Sequence, residues 1–108
     1  MKVHLIKWKS IEKYVLRNAR AGVSFDRFRE CIKMADWETI NDIRETFGSA
    51  DIIENERIVF NIGGNNYRLI CAYWFGPGMV HLYVKWIGTH AEYNRLCDLG
   101  LQSSIDNF

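Results

Sequence analysis

From Arg57 onward the chain alternates. RIVFNI, YRLICAYWF and MVHLYVKWI place apolar side chains at every second position, the period of strands with one buried face. The first half keeps a different period. VHLIKW (3–8) reads as a short strand whose lysines suit a sheet edge. Ile11, Tyr14, Val15 and Ala19 then recur at helical spacing behind Ser10 as N-cap, until Ala21 and Gly22 stop the run. Ser24 is the expected cap of a second helix that carries Phe25, Phe28, Ile32 and Ala35 on one side. Thr39-x-x-Asp42 has the form of a capping box for a short third helix holding Ile40, Ile43 and Phe47, which GSAD ends. The pattern predicts an α+β fold: a small antiparallel sheet, made of the N-terminal edge strand and a three-stranded C-terminal meander, with two to three helices packed on one face. Residues 1–108 read as a single domain.

Register sharpens this picture. Gly63-Gly64-Asn65-Asn66 is hairpin chemistry, since Gly and Asn tolerate the positive φ of tight turns. It sets Ile62 opposite Tyr67 and Asn61 opposite Arg68. A two-residue turn at Pro77-Gly78 sets Phe75 opposite Val80, Ile70 opposite Lys85 and Arg68 opposite Ile87. Ile58, Phe60, Ile62, Tyr67, Leu69, Cys71, Tyr73 and Phe75 then share a core face with Leu82, Val84 and Trp86. Asn61, Arg68, His81, Tyr83 and Lys85 share the other face, which the helices are expected to leave open.

The formal charge of +1 conceals a segregation. Residues 1–35 carry nine Lys/Arg against three Asp/Glu, and residues 36–56 carry one Arg against seven acids. A basic front section can face phosphate although the chain is near neutral, or the two blocks can offset each other. Cys31, Cys71 and Cys97 are odd in number and widely spaced, so they are expected to be inert packing residues in a reducing cytosol. MKVHLIKW is too short and charged for a signal peptide, and no apolar run is long enough to span a membrane. A cytoplasmic protein is expected.

GTHAEYNRL (88–96) brings the candidate chemistry together. His90 follows within three residues of the Arg68 row, and Tyr93 is spaced i, i+3 from it. Arg68, Lys85, His90 and Tyr93 are the candidate catalytic residues. Asn61 and Asn65, with Lys7, Lys9 and Arg17 in the basic front section, are the candidate RNA contacts. His4 and His81 are set aside as satisfied or exposed histidines. The set has no clustered carboxylates for a two-metal nuclease, no phosphate loop, and no Ser or Cys paired with a His for acyl transfer. Metal-free RNA cleavage suits it: a 2′-hydroxyl must lose a proton, a 5′-oxygen must gain one, and the phosphorane needs fixed cations. No metal and no cofactor is expected. A non-catalytic RNA- or partner-binding protein is the alternative.

ADWETINDIRETFGSADIIENERIVFNIGGNNYRL followed by VKWIGTHAEYNRL resembles the HigB toxins, RelE-like mRNA interferases of type II toxin–antitoxin modules. The resemblance covers roughly residues 34–96 and is strongest at FNIGGNxYRL and GTHAEY. It implies metal-independent, ribosome-dependent cleavage of translated mRNA and neutralisation by a HigA-type helix-turn-helix antitoxin. Operator DNA would be contacted only through that antitoxin. The family's strand arginine and late basic–tyrosine pair fall on Arg68, His90 and Tyr93, and its basic position on the last strand falls on Lys85. The tail CDLGLQSSIDNF (97–108) extends past the resemblance and is assigned no role.

Overall fold

The computed structural model describes residues Met1–Phe108. The elements, in chain order, are β1 (Lys2–Ile6), α1 (Trp8–Arg17), a 3-10 turn (Ala19–Ala21), α2 (Gly22–Met34), α3 (Ile40–Thr46), β2 (Asp51–Ile53), β3 (Arg57–Ile62), β4 (Tyr67–Phe75), β5 (Met79–Thr89) and α4 (His90–Asp98). The α+β class is as expected, with one sheet in the order β1-β5-β4-β3-β2. Two details differ. β1 runs parallel to β5 along Lys2–Ile6, so the sheet is mixed. Asp51–Ile53 adds a short edge strand against Arg57–Val59, three residues too few to show alternation.

The expected helix caps hold in part. The Thr39/Asp42 box is formed at α3: Glu38 N and Thr39 N donate to the Asp42 carboxylate at 2.7 and 3.0 Å. These bonds hold the Asp42 carboxyl below its usual range. Ser10 and Ser24 are not caps. α1 begins at Trp8 behind Lys7 in left-handed conformation (φ 69°), and α2 begins at Gly22. α1 ends at Asn18, whose backbone leaves the helical region (φ −135°, ψ 67°) while its Nδ2 donates to the Tyr14 carbonyl at 3.0 Å.

α1, α2 and α3 cover one sheet face. Phe25, Phe28, Ile32 and Ile43 meet Ile58, Phe60, Ile62, Leu69, Cys71, Leu82 and Val84 in the main core. Each such large apolar side chain contributes about 1.5–3 kcal/mol on burial. Cys71 is fully buried there, and its thiol is pushed far up by desolvation.

The β3–β4 register is as expected, with Ile62 facing Tyr67 and Asn61 facing Arg68. The β4–β5 register is as expected only from Phe75/Val80 to Cys71/Val84. A bulge then makes Lys85 the extra residue, so Ile70 faces Trp86 and Arg68 faces Gly88. The bulge turns Trp86 away from the main core and Ile87 into it. Trp86 instead joins Val59, Ile70 and Leu96 in a second cluster, with Ile53, Tyr93 and Ile105 packed against it. An unbroken ladder would have kept Lys85 beside Ile70.

That cluster corrects the expectation of an open second face. α4 lies on the half nearest Arg68, and the tail beyond it packs alongside. Arg57 donates to the carbonyls of Gln102 (3.4 Å) and Ile105 (2.6 Å), and Asn55 donates to that of Ser103 (2.9 Å). The role of residues 101–108 is therefore partly to close a second small core.

Candidate active site

Arg68 is the second residue of β4, beside the turn, and is only 6% exposed. A buried guanidinium needs acceptors for its N–H groups. It has three, and none is a carboxylate. Nη1 donates to the Tyr67 carbonyl (3.0 Å), and Nη2 bridges Asn65 Oδ1 and His90 Nδ1, both at 2.7 Å. Because arginine cannot accept, Nδ1 of His90 carries the lone pair and the ring proton is on Nε2. Arg57, the other buried arginine, is satisfied by tail carbonyls and is structural.

The chain places His90 with care. It is the first residue of α4, behind a capping box in which Glu92 N donates to Thr89 Oγ1 (3.2 Å) and Thr89 N donates to the Glu92 carboxylate (2.8 Å). His90 N donates in turn to the Asn66 carbonyl (3.0 Å). The turn that carries Asn65 and Asn66 depends on Gly63 and Gly64 at φ 65° and 64°. At Gly63 a Cβ would also lie 2.8 Å from Ser24 Oγ.

Tyr93 lies one turn along α4 with its ring 6.2 Å from that of Trp86. Burial, reinforced by the Cys97 thiol, pushes its phenol well above the ordinary range, while the charge of Arg68 opposes the shift. Tyr93 therefore keeps its proton at neutral pH. Asn65, Arg68 and His90 form one hydrogen-bonded constellation, and Tyr93 lies near enough to feel the charge of Arg68.

The other expected residues stand apart. Lys85 does not share the row of Arg68: displaced by the bulge, it binds the Asp106 carboxylate at 3.2 Å. Asn61 faces Arg68 across the ladder but lines a separate cavity with Ser24, Arg27 and Gly63. Lys7 and Lys9 are exposed near the start of α1. Arg17 is exposed at its other end, in a groove with Lys13, Tyr14 and Phe108. The Tyr14 ring of that groove packs edge-on against Tyr67, 6.3 Å away. No group of three or more His, Cys, Asp or Glu side chains is placed to hold a metal ion.

One residue at the site escaped sequence reasoning. Gly88 faces Arg68, and a Cβ there would come within 2.6 Å of two atoms of the Trp86 ring. The indole thus lies flat over Gly88 beside the site. The only signal was a glycine after VKWI, with no turn to require it.

A family model described as HigB_toxin, the RelE-like toxic component of a toxin-antitoxin system, matches residues 21–96. The chain belongs to the HigB toxin family. A search of curated proteins found no match. Membership makes the protein the toxic component of such a pair and gives it an antitoxin as partner. The matched span includes Asn65, Arg68, His90 and Tyr93 and stops before the tail. No helix is long and apolar enough to cross a membrane.

Proposed function

We propose that this HigB-family toxin is a metal-independent endoribonuclease of the cytoplasm. It cleaves mRNA on the translating ribosome and is silenced by a HigA-type helix-turn-helix antitoxin, through which alone it meets operator DNA. Residues 1–108 act as one domain in this reading. The observation that carries it is Arg68, a buried cation held only by neutral acceptors and next to an imidazole. Such a cation gains most from an arriving phosphate, where its fork matches two oxygens.

Arg68 turns its fork to the scissile phosphate and holds the charge of the phosphorane. That movement releases Nδ1 of His90, the one unprotonated ring nitrogen there, to take the proton of the 2′-hydroxyl. The new bond joins the 2′-oxygen to phosphorus as the bond to the 5′-oxygen breaks. Tyr93, still protonated, is the donor for that leaving oxygen. Asn61, Lys7, Lys9 and Arg17 serve as outlying RNA contacts.

A translating-ribosome assay with an mRNA carrying one 2′-deoxynucleotide at the cleaved position tests the reading. Cleavage should stop at that position and persist elsewhere; cleavage through it would refute 2′-oxygen attack. In a second reading, a non-catalytic RNA- or partner-binding protein, Arg68 stays on its three internal acceptors and only braces the turn against α4. No cleavage of all-ribose mRNA, with ribosome binding intact, would select it.

A further inference from the structure

α4 covers the part of the second face near Arg68 and the tail reaches on to Arg57 and Asn55, where the Ser103 carbonyl accepts from Asn55 Nδ2, but the Trp74 end of β4 is left uncovered. There Trp74 is 56% and Tyr83 37% exposed. His81 stacks on Tyr83 with ring centroids 6.4 Å apart and planes at 26°, and His4 of β1 lies 6.4 Å beyond His81. Between these strands and the β2–β3 turn lies an open cavity of about 370 Å³, lined by Asn55, Glu56, Ala72, Tyr73, Trp74 and Tyr83.

Glu56 is the one charged residue lining that cavity, and its carboxylate forms no salt bridge. Its backbone is unusual as well. Asn55 and Glu56 both adopt left-handed conformations, at φ 60° and 54°, with the Glu56 carbonyl accepting from Tyr73 N at 2.9 Å. Glycine fits that region with less strain, so a glutamate there is costly to the fold. Asp51 and Glu54 on the same sheet edge are equally without a cation partner. A cavity with aromatic walls and one free carboxylate suits a cationic side chain and repels a phosphate backbone.

We infer that this face docks the antitoxin, which seats an arginine or lysine side chain between Trp74 and Tyr83 and pairs it with Glu56. The inference rests on the toxin–antitoxin assignment and not on the cleavage chemistry. Trp74 is six residues along β4 from Arg68, roughly 20 Å at the rise of a strand. An antitoxin held there leaves Arg68 uncovered and acts by keeping the toxin from its ribosomal seat.

The test is calorimetric titration of the purified antitoxin into the full-length toxin and its Glu56→Gly, Glu56→Gln and Trp74→Ala variants, with mRNA cleavage measured in parallel. Glu56→Gly relieves the left-handed backbone, so its melting temperature should be equal or higher. All three variants should lose antitoxin affinity by about tenfold or more and cleave mRNA as wild type does. Unchanged affinity in Trp74→Ala and Glu56→Gly overturns the inference. So does lost cleavage or ribosome binding with affinity intact, which would make the face a substrate surface. A change in self-association as the only effect would assign the face to a second copy of the chain. Absence of cleavage by every form, with the affinity losses as expected, would leave the docking face standing and refute the proposed catalysis.

Discussion

Arg68 donates to Nδ1 of His90 at 2.7 Å, and one four-residue turn holds both ends of that bond. Asn65 takes the same Nη2 at 2.7 Å through its side chain, and Asn66 takes the His90 backbone N–H at 3.0 Å through its carbonyl. The two glycines of the turn thus serve a purpose beyond reversing the chain. They put two acceptors where a strand arginine and a helix N-terminus converge.

Asn65 is therefore a positioning residue more than an RNA contact. Asn65→Ala should lower cleavage by about tenfold, because the guanidinium loses one of two fixed partners at Nη2. Asn65 is exposed, so stability should change by less than about 1 kcal/mol. Chemical denaturation beside single-turnover cleavage measures both. Equal cleavage would remove Asn65 from the site.

Arg68→Ala should abolish cleavage and also destabilise the fold by about 1–3 kcal/mol, since burial leaves Asn65 and His90 facing a void. An arginine on an open sheet face would have been nearly free to remove. Arg68→Lys retains the charge but not the fork, and should recover most of the stability with little activity. Equilibrium unfolding in urea separates the two losses.

Lys85→Ala should leave cleavage within a few-fold of wild type. Its ammonium is engaged by Asp106, a partly exposed pair worth at most about 1 kcal/mol. Asp106→Asn should then match it in stability. A loss of cleavage of a hundredfold in Lys85→Ala would return the residue to the active site.

Gly88→Ala should cost about 1–3 kcal/mol, because the new methyl meets the Trp86 ring, which is packed with Ile70 and Leu96 and has no room to move. Activity should fall further than stability, as the same strand segment carries the backbone opposite Arg68. Thermal melting and cleavage at a temperature where both forms are folded give the comparison.

Tyr14 provides a pH test of the fold. Burial, with the Glu92 carboxylate next in weight, pushes its phenol up to about 12, and its hydroxyl has no hydrogen-bond partner. The unfolded chain releases this proton near 10 while the folded chain retains it, so stability falls as pH rises from about 10 to about 12. Tyr14→Phe should flatten that decline in a melting series without loss at pH 7. An unchanged alkaline slope would place the titration elsewhere, with Tyr93 the next group to examine.

The period of two from Arg57 onward was enough to read β3, β4, most of β5 and the main core from sequence. The Thr39/Asp42 box was equally legible, because a cap is a local bargain between neighbouring residues. The bulge at Lys85 was not. Its cause is the demand of Trp86 for a second core, and that core exists only once α4 and the tail fold back onto Val59 and Ile70. The nearness of His90 to Arg68 was legible from the strand pairing, but the burial of Arg68 was not, for the same reason. The role of Asn65 depends on a rotamer at 2.7 Å, which no spacing rule encodes.

The central claim is that Arg68 and His90 promote attack by a 2′-oxygen. The most direct measurement is the chemistry of the new ends on mRNA cleaved by the purified toxin on translating ribosomes. The account predicts a 2′,3′-cyclic phosphate upstream and a 5′-hydroxyl downstream, both lost in His90→Ala. A 3′-hydroxyl paired with a 5′-phosphate, or the same ends at undiminished rate in His90→Ala, would contradict it.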